Sequence, residues 1–213
     1  MSEPSRRQRN KADKRRRITD AATTLFKEVG FEATTTASIA EAAGIGTGTL
    51  YLYVDSKEDL LAEVFRYDAR HAWDEAFERI DPDAPLLDQV LSAYLHVTWH
   101  HEADPRLARC YFKELLFVSE RARSRVDEFI DGFFGRFGQV MEEAKRRHKL
   151  ADDVAVEPLV RNLFAAWYVL MQGHHTRGTD LETTECRLRQ SVATALHGLT
   201  PATASTPVGS AST

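Results

Sequence analysis

Apolar positions recur along this chain with the 3.6-residue period of helices, and no stretch alternates with the period of a strand. The clearest stripe is Ile18, Ala21, Ala22, Leu25, Phe26 and Val29, which predicts a helix over 11–29 closed by Gly30. Two short helices are expected next. Ile39, Ala40 and Ala43 give the first one small apolar face behind a cap at Thr34 or Thr35, and Gly44 is a left-handed stop. The second opens near Thr47, whose hydroxyl is placed to cap it, and carries Leu50, Tyr51 and Tyr53. Ser56 followed by Asp59 has the spacing of a capping box and starts a helix running to about Ile80. Its apolar side is Leu60, Leu61, Val64, Phe65, Ala72, Trp73, Ala76 and Phe77, and its length of roughly 35 Å makes it a connecting rod. Beyond Pro82 and Pro85, helices are predicted over 86–102, from 105, and over 119–148, 154–173 and 180–198. The chain therefore reads as all-α, with about nine helices.

Two helices crossed over a short turn containing glycine form a helix-turn-helix, whose second helix enters the major groove with its N-terminal residues nearest the bases. Here that second helix opens Thr47-Gly48-Thr49. Glycine inside a helix costs about 1 kcal/mol relative to alanine, and close approach of a DNA strand is one reason to keep it. The hydroxyls of Thr47 and Thr49 suit phosphate or base edges. The N-terminus of the preceding helix, at Thr35 and Thr36, presents free N–H groups and a positive dipole end to a phosphate. Tyr51 and Tyr53 lie two residues apart, so one packs inward and the other faces out.

Charge sharpens this picture. The 213 residues carry a net −4. Residues 1–17 hold Arg6, Arg7, Arg9, Lys11, Lys14, Arg15, Arg16 and Arg17 against Glu3 and Asp13, a net of +6, which leaves −10 on the remainder. A basic arm beside a helix-turn-helix is an electrostatic footprint for a polyanion, and the Lys14–Arg17 end, with Lys14 and Arg15 foremost, is expected at the DNA backbone. The expected organisation is a disordered basic arm over 1–10, a three-helix DNA-binding domain over 11–57, a second helical domain over 58–199, and a disordered tail over 200–213.

Other chemistry is sparse. Cys110 and Cys186 have no CxxC spacing, so no disulfide framework or zinc-cysteine site is expected, and both read as buried, inert thiols. No run is long enough to span a bilayer, no secretory segment opens the chain, and a cytoplasmic location is expected. His96, His100 and His101 lie on the 86–102 helix, where i, i+4 spacing could clamp a metal, and His174-His175 follow the 154–173 helix, but apart from nearby Glu102 no Cys or carboxylate spacing supports a metal site and none is expected. No GxSxG, HExxH or phosphate-cradling glycine loop is present, so no enzyme and no catalytic residue is expected.

The stretch Gly30–Leu61 resembles the DNA-binding domain of the TetR/AcrR family of bacterial transcriptional regulators. The resemblance rests on Gly30-Phe31, Thr34-Thr35, Ile39-Ala40, Gly44, the run Gly48-Thr49-Leu50-Tyr51, Tyr53 and Ser56-Lys57. It departs at Ala37, Ser38, Leu52 and Val54, positions that bear on base preference. The resemblance implies that Tyr53 and Lys57 contact phosphates and that Thr47, Gly48, Thr49 and Leu52 lie at the groove surface. It also implies a second domain that binds a small-molecule effector, with no cofactor. The aromatic residues Trp73, Trp99, Tyr111, Phe112, Phe129, Phe133, Phe164 and Trp167 are the candidate lining for an apolar ligand. Similarity of the recognition-helix stretch to fatty-acid regulators points to an acyl ligand.

The 154–173 helix is apolar nearly all round and needs burial on two sides. A second subunit is the simplest cover, with Leu163, Val169 and Leu170 meeting Leu188, Val192 and Ala195 of the last helix across a two-fold axis. The function expected is a homodimeric repressor of a palindromic operator, released by a ligand. An activator, or an interaction module with a vestigial DNA-binding domain, remain the alternatives.

Overall fold

The computed structural model describes residues 5–115 and 118–199. The expected disorder of residues 1–4 and of 200–213 lies outside them. Among the described residues there are nine helices and no strand: α1 Arg6–Glu28, α2 Thr36–Ala42, α3 Thr47–Leu50, α4 Lys57–Glu78, α5 Leu86–Glu102, α6 Pro105–Glu114, α7 Glu120–Arg146, α8 Val156–Arg177 and α9 Leu181–Leu196.

α1 begins five residues before the sequence pattern predicts, which corrects the disordered arm over residues 6–10. Ser5 accepts from the Gln8 backbone N–H while the Gln8 side chain accepts from the Ser5 N–H, a reciprocal cap. Lysine, arginine and glutamine are good helix formers, so a polar stretch behind such a cap continues the helix without any apolar stripe.

Two cores follow. The first joins Ile18, Ala22 and Phe26 of α1 to Ile39, Ala43, Leu50, Leu60, Leu61 and Val64. Leu107 and Tyr111 of α6 belong to it as well, so this unit extends past residue 57. Leu50 is fully buried, and truncating it to alanine would cost about 2–5 kcal/mol. The second core is aromatic: Trp73 stacks edge-on against Tyr94 at 5.3 Å and Trp167 at 5.6 Å, with Phe133 4.4 Å away. Trp167 donates its indole N–H to Thr98 Oγ1 at 3.0 Å, which satisfies the buried polar end of the ring. α4 contributes to both cores and is the rod between them.

α8 differs from expectation in two ways. It runs one turn beyond Gly173 and stops at Gly178, which adopts φ +77°, so His174 and His175 lie in its last turn rather than after it. Its apolar girth is also covered from within, by α6, α7 and α9. Leu163, Leu188 and Val192 are buried in this chain's own core, which corrects their assignment to a subunit interface. Of that set, Val169 is exposed, and Leu170 and Ala195 are half-buried. In α7, a Cβ added at Gly132 or Gly135 would meet no described atom within 4 Å, so these glycines make no close-packed seam within the chain.

Candidate nucleic-acid interface and effector cavity

Thr35 caps α2, accepting from the Ser38 N–H at 3.1 Å, while Thr34 is buried and donates to the Gly30 carbonyl at 2.7 Å. Gly44 ends the turn with φ +64°. The Arg17 guanidinium reaches across from α1 to the Ala43 carbonyl and, at 3.4 Å, the Gly44 carbonyl, tying the turn to the first helix. No periodicity points to this tie; only three-dimensional proximity shows it.

α3 is a single turn capped by the backbone at Gly46. Thr47 is therefore its first residue and not its cap. A Cβ at Gly48 would meet no described atom within 4 Å, so nothing inside the protein demands glycine there. Tyr51 closes the helix, and its hydroxyl lies 3.1 Å from Thr36 Oγ1, joining the opening of α2 to the end of α3 on one surface. That surface holds the exposed Thr35, Thr47, Gly48, Tyr51 and Leu52, with Thr36 and Thr49 half-buried. Leu52 is 73% exposed, a large apolar side chain with no cover. Tyr53 turns the other way and packs against the first core. Lys14 is exposed on α1.

Arg15 and Lys57 are not free. Arg15 donates to Glu63 Oε1 at 2.6 Å, and the same buried carboxylate also accepts from Arg66 at 3.0 Å and from Arg125 of α7. Lys57 donates to the Phe31 carbonyl at 2.7 Å and the Glu32 carbonyl at 3.3 Å and lies 4.4 Å over the Phe31 ring. Both side chains thus help to hold the domain together. Asp59 likewise does not complete a capping box. Ser56 accepts from its N–H at 3.1 Å, but its carboxylate turns to α7 and accepts from the Ser119 N–H at 2.9 Å and the Ser119 hydroxyl at 2.7 Å.

In the second domain a cavity of about 430 Å³ is walled by Phe65, Trp73, His101, Tyr111, Phe112, Val126, Phe129, Phe133, Phe164, Trp167 and Tyr168, with Arg123 and Asp127 as charged lining. It gathers seven of the eight aromatics singled out from sequence. Trp99 is the exception: it is half-exposed and donates to Glu185 at 2.6 Å, away from the cavity. Phe65, His101 and Tyr168 are lining residues the sequence did not single out. Burial drives the His101 imidazole down to about 3, so the ring is neutral in the apolar wall. Phe129 also borders a second hollow lined by Arg15, Arg66, Arg70, Arg125 and Glu128.

His96 and His100 face separate carboxylates, Glu75 and Asp68, each at 3.1 Å, and form no common clamp. Cys110 is half-buried, and burial raises its thiol to about 11, whereas Cys186 is exposed, contrary to the expectation of two buried thiols. No helix among the described residues is long and apolar enough to cross a membrane.

Residues 18–64, spanning the helix-turn-helix, match the family described as bacterial regulatory proteins, tetR family. The chain is 26% identical to the transcriptional repressor KstR of Rhodococcus jostii over 79% of its own length and 77% of that protein. The helix-turn-helix domain belongs to the tetR family. It is also 48% identical to KstR2 of the same organism over 26% of its length, and 33% identical over 37% of its length to YhgD of Bacillus subtilis, an uncharacterised regulator. Those two alignments span 28% and 41% of the relatives' own lengths. The fold is that of FadR from Thermus thermophilus, a TetR-family repressor solved with lauroyl-CoA (TM-score 0.71, 21% identity, 92% of this chain and 100% of that one). FadR of Bacillus subtilis, solved with stearoyl-CoA, has the same fold (TM-score 0.67, 20% identity, 85% and 99%). Each of these proteins is a transcriptional regulator rather than an enzyme.

Proposed function

We propose that this TetR-family chain is a ligand-responsive repressor that binds a palindromic operator as a homodimer and leaves it when an amphipathic molecule enters the second domain. One observation carries the coupling: Phe65 and Tyr111 line the cavity and also pack in the core of the DNA-binding domain. An occupant of the cavity touches the group that positions the reading head. It acts only through its different affinity for the two arrangements of that head.

The reading surface is α3 with the start of α2. Thr47, Thr49 and Leu52 are placed for base edges, Gly48 for close backbone approach, and Thr35, Thr36, Tyr51 and Lys14 for phosphates. Tyr53 retains only a partly exposed route to the backbone. Two such surfaces reach successive major grooves when a dimer holds them about 34–36 Å apart. The exposed Val169 on α8, with Leu170 and Ala195, is the apolar part of the proposed subunit contact.

The effector class follows from chemistry. The cavity suits an alkyl or ring system, and the arginine-rich hollow beside Phe129 suits an anionic head. Acyl thioesters of coenzyme A have both parts, and two proteins of this fold were solved with such ligands. The test is a gel shift on the DNA upstream of the chain's own gene, titrated separately with lauroyl-CoA, stearoyl-CoA, free fatty acid and coenzyme A. Release by an acyl-CoA but not by coenzyme A supports the reading. A complex indifferent to all four removes the acyl effector. Absence of any sequence-selective complex at low salt removes the regulator itself.

A further inference from the structure

The last residue of α5 and the last turn of α8 converge in a polar cluster outside the effector cavity. Glu102 Oε1 lies 2.8 Å from His174 Nε2 and 3.8 Å from His175 Nε2. The ligand atoms of these three residues all fall within 4.8 Å of one another. The site is built inside the protein: the side chains of Glu102, His174 and His175 are 25%, 12% and 2% exposed.

The hydrogen bonding of His174 decides which atom faces the cluster. Its Nδ1 is 2.5 Å from the Thr179 carbonyl, which can only accept, so Nδ1 carries the proton. A neutral ring then turns a bare Nε2 lone pair on a carboxylate oxygen, two acceptors at hydrogen-bonding distance. A proton on Nε2 would relieve that one contact. It would do nothing for His175, whose Nε2 is buried and has no hydrogen-bond partner among the described residues. A single cation placed between the three atoms satisfies all of them at once. The Thr179 carbonyl then takes the role that metal-bound histidines give to a backbone acceptor, fixing the tautomer and the ring plane. Two helix C-termini point their partial negative charge at the same spot, which favours a cation and disfavours an anion.

We propose that Glu102, His174 and His175 form a binding site for one divalent transition-metal ion of the Zn²⁺ class. Two imidazoles and one carboxylate suit Zn²⁺, with a water molecule as the fourth ligand. The ion clips the end of α5 to the end of α8. It also abuts the effector cavity, because Phe112 stacks on the His175 ring at 5.2 Å and His101 lies 6.3 Å from it, and both line that cavity. The proposal is independent of the regulatory reading, since metal binding is measured without DNA.

The untagged full-length chain, stripped with EDTA and dialysed, is titrated with ZnCl₂ by calorimetry, and its melting is followed with and without Zn²⁺. One ion per chain and a higher melting temperature with metal are expected. Loss of a group that only hydrogen-bonds a metal ligand weakens metal sites about 10–100-fold, so removing a ligand by Glu102→Gln or His174→Ala should weaken binding by about 100-fold or more. His96→Gln, whose ring pairs with Glu75, should leave it unchanged. Co²⁺ in the wild-type chain should give the intense visible absorption of a four-coordinate site, a readout that needs no variant to fold. Failure to bind Zn²⁺, binding that survives both substitutions, or a Co²⁺ spectrum no stronger than that of the aqueous ion would each overturn the proposal and leave His174 and Glu102 as a hydrogen-bonded pair alone.

Discussion

The ring of Phe65 meets the ring of Tyr111 edge to face, with centroids 5.0 Å apart and planes at 66°. One residue comes from α4 and the other from α6, and the pair is shared by the effector cavity and the core beneath the reading head. Phe65 also meets Phe129 edge-on at 6.3 Å. On the proposed regulatory reading, this pair is the route from the cavity to the DNA-binding domain.

Phe65→Leu keeps an apolar side chain and should cost under about 1.5 kcal/mol in stability. It should leave operator affinity within about threefold but lower the effector-induced loss of affinity by about 1 kcal/mol, from a coupling that is typically 1–3 kcal/mol. Operator titrations with and without saturating effector measure this directly. Unchanged coupling in a folded variant would remove Phe65 from the route.

Gly48→Ala separates folding from binding. Alanine is favoured over glycine in a helix by about 0.5–1 kcal/mol, and the new methyl meets no described atom. The variant should be as stable as the wild type or slightly more so. If a DNA strand approaches the Gly48 backbone, operator affinity should fall tenfold or more. Urea unfolding and gel shifts on the same preparation check both halves, and undiminished DNA binding would count against close approach at this position.

Asp59→Ala removes the acceptor of two hydrogen bonds from Ser119 and leaves the start of α7 without its partner. A buried donor left unpaired costs about 1–3 kcal/mol. Ser119→Ala keeps the backbone N–H bond and should cost less, about 1 kcal/mol. The double variant should cost less than the sum of the two if they share one interaction, and a strictly additive cycle would refute the link.

Metal-free protein should lose stability as the pH falls below about 6.5. Burial holds the imidazoles of His101 and His175 down at about 3 and about 4, and the charge of His174 lowers His175 further. Unfolded histidine titrates near 6.5, so each ring takes up a proton on unfolding between that value and its folded one, at about 1.4 kcal/mol per pH unit per ring. His101 is faced by Asp68 from α4, by its neighbour His100 on α5 and by His175 from α8. His100 works the opposite way. Its hydrogen bond to Asp68 raises it, so its contribution is fully present below 6.5 and is lost as pH rises through its folded value. Urea midpoints between pH 7.5 and 4.5 should show a His101→Leu chain with a clearly shallower acid limb than the wild type. Parallel limbs would contradict the buried neutral ring.

The sequence carried the parts of this molecule that repeat or are local. Thr35 as a cap, the left-handed Gly44, the α4 rod and seven of the eight aromatics proposed for the cavity all follow from spacing or composition within one element. What it hid were pairings over long separations. Arg15 and Lys57 read as free cations because nothing in their neighbourhood reveals Glu63, 48 residues on from Arg15, or the Phe31 carbonyl, 26 residues back from Lys57. Leu163, Leu188 and Val192 read as a subunit face because a helix apolar all round does not say whether its cover comes from its own chain. Trp99 was grouped with the cavity on residue type alone, although its indole N–H faces out to Glu185.

α4 is 22 residues long, about 33 Å, and is held near its first turn by the Asp59–Ser119 hydrogen bonds. A rod pinned near one end works as a lever with its fulcrum close to the reading head. A tilt of about 5° moves the far end of such a rod by about 3 Å, while the residues near the pin mostly rotate in place. On the proposed regulatory reading, a bulky guest among the aromatics pushes on the long arm, and the short arm converts that push into a change of pitch rather than a sideways slide. A recognition surface only one helical turn long tolerates little change of pitch, so a modest swelling far from the groove is mechanically sufficient to spoil its fit.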